Sequence, residues 1–133
     1  NYVELASTGR LRGVNVDMGT APDAVMPVAV AAAFARSRTT IKNVAHLRFK
    51  ESNRVAATVE GLKNMGAKAR ATKNEIIIEG GRKLRGATID PHNDHRIAMS
   101  FAVAGLKVPG IKILNEECVN KSFPGFWERL ARL

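Results

Sequence analysis

Several residue types are rare in this 133-residue chain. Its one cysteine, Cys118, cannot form an internal disulfide, and this favours a reducing compartment. Aromatic residues make up only 5% of the chain, which argues against nucleic-acid binding by base stacking. No apolar run approaches the ~20 residues that a membrane span needs, and no signal peptide is recognisable. We therefore expect a cytoplasmic protein without a membrane partner.

The residues that are present indicate a folded domain with a basic surplus. Hydrophobic residues make up 45% of the chain, which excludes a disordered protein. The 21 basic and 12 acidic residues give a net charge of +9, so phosphates, carboxylates or nucleic acid are the expected partners. Neither a Walker-type phosphate loop nor a dinucleotide-binding glycine motif occurs. The histidines form no plausible metal set with Cys118, which fits a small buried hydrophobe better than a nucleophile. We expect no metal and no cofactor.

Hydrophobic periodicity and turn residues predict alternating strands and helices. The helix over 24–35 is apolar all round and should be buried. The helix over 51–65 should end at Gly66, and Lys73-Asn74 should join a hairpin. The expected strands are 2–5, 13–16, 39–44, 67–72, 75–79, 87–90 and 110–114, and the other expected helices are 94–106 and 124–133.

The element order indicates an internal repeat at a separation of about 70 residues, although chance similarity between two alanine-rich helices is the alternative. One unit, strand-helix-strand-helix-strand-strand, covers residues 13–80. A second covers 86–133 and lacks its last two strands, which would leave sheet edges open. We expect an α+β fold whose missing strands come from chain outside this sequence. The corresponding residues are Gly13 and Gly86, Asp17 and Asp90, Lys50 and Lys121, and Leu62 and Leu133.

Most reactive side chains lie where a predicted helix follows a strand. Right-handed crossovers bring successive helix N-termini to one edge of a parallel sheet, where unpaired N–H groups favour anions. Basic residues at such ends oppose the helix dipole, so several of them together indicate an anionic ligand. Two carboxylates there, Asp23 and Glu51, could act as base and acid. The other charged or titratable groups are Lys50, Arg54, Arg96, Lys121 and His95.

Taken singly, these side chains have ordinary structural interpretations. Lys50 and Arg54 could form a solvated helix face. Asp23 and Glu51 could be normal helix-start residues, and Asp94 could form an ion pair with its neighbours. Only their occurrence together, at four helix starts, favours an anion-binding, acid–base face.

Four ordered segments resemble the signatures of the EPSP synthase family, the 3-phosphoshikimate 1-carboxyvinyltransferases. The resemblance covers nearly the whole chain. It implies the enolpyruvyl transferase fold, an inside-out α/β barrel of two lobes, each built from three βαβαββ units around buried parallel helices. This chain would supply the last two units of one lobe, whose final strands come from the N-terminus. The segments are Asp17 with Pro22-Asp23-Ala24, Lys50-Glu51-Ser52-Asn53-Arg54, Asn93-Asp94-His95-Arg96-Ile97-Ala98-Met99, and Lys121-Ser122-Phe123-Pro124.

The resemblance also implies a reaction in the shikimate pathway of aromatic amino-acid biosynthesis. The enolpyruvyl group of phosphoenolpyruvate passes to the 5-hydroxyl of shikimate 3-phosphate through a tetrahedral intermediate, and phosphate is released. By this resemblance Asp23 is the proton acceptor and Glu51 the proton donor. Asp23, Lys50 and His46 contact shikimate 3-phosphate. The phosphoenolpyruvate-binding residues would be Arg54, Arg96 and Lys121, with His95 in support.

The resemblance also implies partners, and the chain departs from the family pattern at two positions. The partners would be the two substrates and the missing N-terminal lobe, within a monomer, and this chain alone would be inactive. His46 stands where many members carry Asn, and Asn53 replaces the more usual Asp. The alternatives are the related transferase that acts on UDP-N-acetylglucosamine, a basic nucleic-acid-binding module, and a non-catalytic lobe. The first lacks the paired motifs around Arg54 and Arg96, and the second would need exposed aromatics or a reading helix.

Overall fold

The computed structural model describes Tyr2, Glu4, Ala6 and residues 9–133. The expected strand 2–5 lies partly outside these residues. The described helices include none that is long and apolar enough to cross a membrane. The strands are β1 (Asn15–Asp17), β2 (Thr39–Lys42), β3 (Lys68–Ala71), β4 (Glu75–Glu79), β5 (Thr88–Ile89) and β6 (Lys112–Ile113). The α-helices are α1 (Val25–Ala33), α2 (Arg54–Asn64), α3 (His95–Gly105) and α4 (Phe126–Leu130), and the 3₁₀ helices are Pro22–Ala24, Ala45–Phe49 and Glu116–Lys121.

The strands form two sheets of mixed α/β architecture. Four strands are ordered β1-β2-β4-β3, with β1 parallel to β2 and β4 antiparallel to both β2 and β3. The hairpin between β3 and β4 confirms the turn expected at Lys73-Asn74. In the second sheet β5 and β6 are parallel. Neighbouring parallel strands must be joined by a crossover connection. Helix α1 lies in the connection from β1 to β2, and α3 lies in the connection from β5 to β6. The helix N-termini of both crossovers therefore follow the carboxyl ends of strands.

Left-handed asparagines end two strands earlier than their sequences indicate. Asn43 has φ of 60°, so β2 ends at Lys42 rather than continuing to Val44. Asn115 has φ of 45° and follows β6 closely. Asparagine adopts this region more readily than most residues because its short polar side chain bonds locally.

Two expected helices begin later than predicted. Helix α2 begins at Arg54 rather than at Glu51, because the Asn53 side chain accepts a hydrogen bond from the Ala56 N–H and caps the helix there. The last helix, α4, begins at Phe126 rather than at Pro124, since Gly125 at its N-cap has φ of 78°. Lys50 and Glu51 therefore lie in the loop before α2.

Helix α1 packs into the core but is not buried on every side. Its residues Val25, Met26 and Ala29 are fully buried. Pro27 and Ala31, one turn apart, are exposed on the side that faces away from the sheet and toward the groove beside α3. The prediction of a helix buried all round was therefore wrong within the described part of the chain.

Helices α2 and α3 approach closely at Gly61, and this contact predicts a stability effect. A Cβ at Gly61 would lie 2.5 Å from Cζ of Phe101, whose ring is fully buried. We expect Gly61→Ala to lower the free energy of unfolding by about 1–3 kcal/mol from overpacking, which exceeds the helix-propensity gain of about 1 kcal/mol. Urea denaturation of the purified chain measures this change.

Gly105→Ala is the matched control, because a Cβ at this position would meet Ile111 at an ordinary 3.6 Å. We expect this second substitution to be neutral or slightly stabilising. Equal losses in the two variants would contradict the steric explanation.

Candidate active site

The candidate site is assembled from the residues that precede or open helices. Asp23 lies in the 3₁₀ turn that precedes α1, and Glu51 lies in the loop that precedes α2. Arg54 is the first residue of α2, and Arg96 is the second residue of α3. The fold thus brings together side chains that are distant in the sequence, as expected for helix starts on neighbouring crossovers.

Arg54 is the centre of this cluster. Its side chain is only 2% exposed, and that of Asp94 is fully buried. Nε of Arg54 donates to Oδ2 of Asp94 at 2.7 Å, and Nη2 lies 3.4 Å from Oδ1. The guanidinium therefore meets the carboxylate along one edge, the arrangement that gives arginine–carboxylate pairs their directional strength.

The outer edge of Arg54 meets two further carboxylates. Nη1 donates to Oδ1 of Asp23 at 3.1 Å, and Nη2 lies 2.8 Å from Oε2 of Glu51. Two more cations join from outside: Nη2 of Arg96 lies 2.9 Å from Asp23 Oδ2, and Nζ of Lys121 lies 3.8 Å from Glu51 Oε1. We call these six residues, Asp23, Glu51, Arg54, Asp94, Arg96 and Lys121, the arginine cluster.

Charges within the arginine cluster balance without a ligand. The three cations Arg54, Arg96 and Lys121 face the three carboxylates Asp23, Glu51 and Asp94. An incoming anion must therefore compete with carboxylates for the same donors. The anion competes with the two outer carboxylates, because the side chains of Asp23 and Glu51 are 54% and 35% exposed whereas that of Asp94 is fully enclosed.

The pKa values of the inner pair follow from burial and mutual attraction. Burial by itself raises the pKa of Asp94, but hydrogen bonds and charge from Arg54, with smaller contributions from the Arg96 N–H and Ser52, hold it below its usual value. Burial by itself lowers the pKa of Arg54, but the hydrogen bond and charge of Asp94 raise it overall. Both groups are therefore ionised at neutral pH.

The pKa of the Glu51 carboxyl is lowered, first by a hydrogen bond from its own backbone and also by the charges of Arg54 and Lys121, against an opposing effect of burial. Burial lowers the pKa of His95, and its Nδ1 is buried with no hydrogen-bond partner among the described residues. Without substrate, Glu51 is therefore a carboxylate and His95 is a neutral imidazole.

Two predicted site residues stand apart from the arginine cluster. Lys50 and His46 are exposed, and their side chains make no hydrogen bond or ion pair with any residue that the structure describes. Lys50 is extended at the end of the 3₁₀ helix Ala45–Phe49, next to the exposed ring of Phe49. Their exposure and the lack of a described partner leave both side chains available to a ligand.

Asp94 is the member of the cluster that sequence reasoning missed as a partner of Arg54. Its position before α3 indicated a helix cap or an ion pair with its neighbours, and the cap is present, because Oδ1 accepts from the Arg96 N–H at 3.0 Å. Its bond to Arg54 joins residues 40 positions apart, which no local pattern reveals.

The described residues contain no group of three or more His, Cys, Asp and Glu side chains that could hold a metal ion. Cys118 is half-buried, and burial raises the pKa of its thiol, so it is protonated at neutral pH. The cations and carboxylates of the arginine cluster are suited to proton transfer and to the binding of carboxylate or phosphate groups.

Comparisons with known proteins identify the family. Residues 2–130 match the family EPSP synthase (3-phosphoshikimate 1-carboxyvinyltransferase). The chain is 49% identical over 128 residues to the 3-phosphoshikimate 1-carboxyvinyltransferase of Methanoculleus marisnigri, and 47% identical over 131 residues to that of Methanoregula boonei. These matches cover 96% and 98% of the chain but only 30% and 31% of the relatives.

A solved structure gives the same result. An EPSP synthase from Acinetobacter baumannii superposes with a TM-score of 0.82 at 40% sequence identity, over 92% of this chain and 30% of that one. The chain thus spans about 30% of the length of the proteins it matches. On the match of residues 2–130 and on these relatives, the chain belongs to the EPSP synthase family.

Proposed function

We propose that the full-length protein is a cytoplasmic monomer that transfers the enolpyruvyl group of phosphoenolpyruvate to the 5-hydroxyl of shikimate 3-phosphate and releases phosphate. Membership of the EPSP synthase family supports this reaction. The observation that carries it for this chain is the arginine cluster, in which two half-exposed carboxylates lie against three cations. Both substrates are anions, and the reaction needs a proton donor and a proton acceptor.

The cations of the cluster bind phosphoenolpyruvate in this proposal. Arg54 and Arg96 hold its carboxylate, because both guanidinium groups already grip the carboxylate of Asp23, at 3.1 Å and 2.9 Å. Asp23 thus occupies the position of a carboxylate ligand in the substrate-free site. Lys121, whose side chain is 64% exposed, adds a mobile positive charge.

The two outer carboxylates carry the proton transfers. Asp23 accepts the proton of the 5-hydroxyl. The hydroxyl oxygen meanwhile forms a bond to C2 of the enolpyruvyl group. Glu51 donates a proton to the methylene carbon, which becomes a methyl group in the tetrahedral intermediate. The Glu51 carboxylate then takes a proton back from this methyl group as phosphate leaves, and the double bond is regenerated. Both oxygens of Glu51 lie near cations, at 2.8 Å from Arg54 and 3.8 Å from Lys121. The donor is therefore held beside the groups that bind phosphoenolpyruvate.

The exposed residues Lys50 and His46 contact shikimate 3-phosphate. His46 lies in the 3₁₀ helix Ala45–Phe49 and Lys50 at its end, and both are exposed with side chains that have no described partner, so they are available to a second anion. His95, buried beside Arg96, supports the site by packing at the start of α3. No metal or cofactor takes part.

The remainder of the lobe completes an inside-out α/β barrel in this proposal, from repeat units 13–80 and 86–133 and a third unit outside this chain. A groove of about 570 Å³ between α1 and α3 has an apolar lining and ends at Asp23 and Arg96. A third parallel helix would fill it. Strand β2 has neighbours on both sides, but β6 pairs only with β5 among the described strands, so β6 would receive the missing hairpin. The N-terminal lobe would then close over the arginine cluster.

Activity should require the full-length protein. We expect phosphate release from phosphoenolpyruvate and shikimate 3-phosphate by the full-length protein and none above background by residues 1–133 alone, because the rest of both substrate sites lies elsewhere. The measurement is phosphate formation, with each substrate omitted in turn as the control. Absence of activity in a folded full-length protein would contradict the proposed function, and turnover by the chain alone would contradict the division of the site.

A further inference from the structure

We infer that Asp94 is a positioning residue, which fixes the inner edge of Arg54 and the start of α3 so that the outer edge of Arg54 and the side chain of Arg96 present one surface to a substrate carboxylate. This inference rests on the proposed function and adds to it a residue that touches no substrate. It is drawn from four contacts that a single enclosed carboxylate makes to two separate segments.

The two oxygens of Asp94 together reach both segments, with Oδ1 between Nη2 of Arg54 at 3.4 Å and the start of α3. Oδ2 accepts from Nε of Arg54 at 2.7 Å and from Oγ of Ser52 at 3.1 Å, both near the start of α2. Oδ1 accepts from the Arg96 N–H at 3.0 Å, at the start of α3. The carboxylate therefore sets the separation and relative angle of the two helix starts that carry the arginines.

Exposure separates Asp94 from the other carboxylates around Arg54. The side chains of Asp23 and Glu51 are 54% and 35% exposed, so a substrate carboxylate can displace them from the guanidinium. Asp94 is fully buried, so its carboxylate is not in contact with solvent or an incoming ligand. Arg54 thus has one permanent partner and two exchangeable ones.

The substitution Asp94→Asn separates positioning from folding. Asparagine has one acceptor oxygen and one amide donor, and it is a good N-cap residue. Its oxygen can keep the bond to the Arg96 N–H, which leaves the NH₂ group facing Nε of Arg54. Helix α3 then stays capped, while Arg54 loses both its charge partner and the acceptor that orients it.

The test is steady-state kinetics of the full-length Asp94→Asn protein. We expect KM for phosphoenolpyruvate to rise about tenfold to 100-fold, the value of one charged hydrogen bond, with KM for shikimate 3-phosphate much less affected. Asp90→Asn is the matched control: Asp90 accepts from the His92 N–H at 2.7 Å in an exposed turn outside the cluster. We expect its kinetics to be unchanged.

The outcomes distinguish this inference from the proposed function. An inactive, folded parent protein would overturn the proposed function itself. With an active parent, an unchanged KM for phosphoenolpyruvate in a folded Asp94→Asn protein, or equal rises for both substrates, would overturn the role of Asp94. If this variant does not fold, Ser52→Ala decides, since it removes only one contact to Oδ2. A smaller rise confined to phosphoenolpyruvate supports the role, and no rise overturns it.

Discussion

Replacing Glu51 with Gln in the full-length protein is expected to lower kcat by about 100- to 10,000-fold, the usual contribution of a positioned acid or base. Glutamine keeps the shape of the side chain and an oxygen that can accept from Nη2 of Arg54, now 2.8 Å from Glu51. It cannot give up a proton to the methylene carbon. KM for phosphoenolpyruvate should therefore change far less than kcat, and steady-state kinetics with both substrates separates the two.

The pH dependence of kcat/KM should follow from the lowered pKa of Glu51. In the free protein its own backbone N–H, together with Arg54 and Lys121, keeps the group ionised at neutral pH. A proton donor must first be protonated, and the protonated fraction falls tenfold for each pH unit above the pKa. We expect kcat/KM to rise as pH falls from neutrality toward the lowered pKa, and Glu51→Gln to lose this dependence.

The matched control for this substitution is Glu60→Gln. Glu60 lies on α2, its side chain is 61% exposed, and Nε2 of His92 lies 3.6 Å from its Oε2. We expect its turnover to equal that of the unaltered protein. If Glu51→Gln retained the turnover of this control, Glu51 would lose its assigned role as the donor.

Local sequence patterns predicted most of the secondary structure but not all of its boundaries. The helix expected over 94–106 is α3, His95–Gly105, because Asp94 caps it and its apolar spacing is regular. The helix expected from Glu51 begins at Arg54 because Asn53 caps it. Glu51 suits the first turn of a helix and Asn53 suits the N-cap position, so the sequence alone is compatible with either start. The choice depends on Arg54, which must enter the core to reach Asp94.

For the candidate site, the sequence predicted which residues take part but not how they pair. The identities of Asp23, Glu51, Arg54, Arg96 and Lys121 followed from their motifs, and the fold brings all five together. The pairing of these residues could not be predicted from the motifs. Each cation was expected to face an anionic ligand, and instead it faces a carboxylate of the chain. Pair formation depends on distances across two crossovers, and burial decides which pairs are permanent. Neither these distances nor the burial of each side chain can be deduced from the spacing of residues in the sequence.

Replacing Arg54 with Met should be the most destabilising single change in the arginine cluster. Methionine fills much of the volume of arginine but leaves Asp94 fully buried, with Ser52 and the Arg96 N–H as its remaining donors among the described residues. Breaking a buried ion pair by removing one partner costs about 3–5 kcal/mol, because the remaining charge is uncompensated. We expect this loss in the free energy of unfolding at about pH 7, measured by urea denaturation of the purified chain.

Arg38→Met provides the comparison for an exposed pair. Nη2 of Arg38 lies 2.8 Å from Oε1 of Glu79, but the two side chains are 61% and 27% exposed. Such pairs contribute about 0–1 kcal/mol. The two substitutions remove the same guanidinium group at a similar distance from a carboxylate, so the difference between them measures the effect of burial.

The pH dependence of the Arg54→Met loss tests its cause. In the unaltered chain the pKa of Asp94 is below its usual value, so its contribution to stability is present above the unfolded pKa and is lost as pH falls through the folded one. Without Arg54, burial dominates and raises the folded pKa, so the buried group now favours folding at low pH and opposes it as pH rises. The loss should therefore shrink between about pH 7 and about pH 4. A loss that is equal at both pH values, or no larger than that of Arg38→Met, would contradict an uncompensated Asp94 charge as its origin.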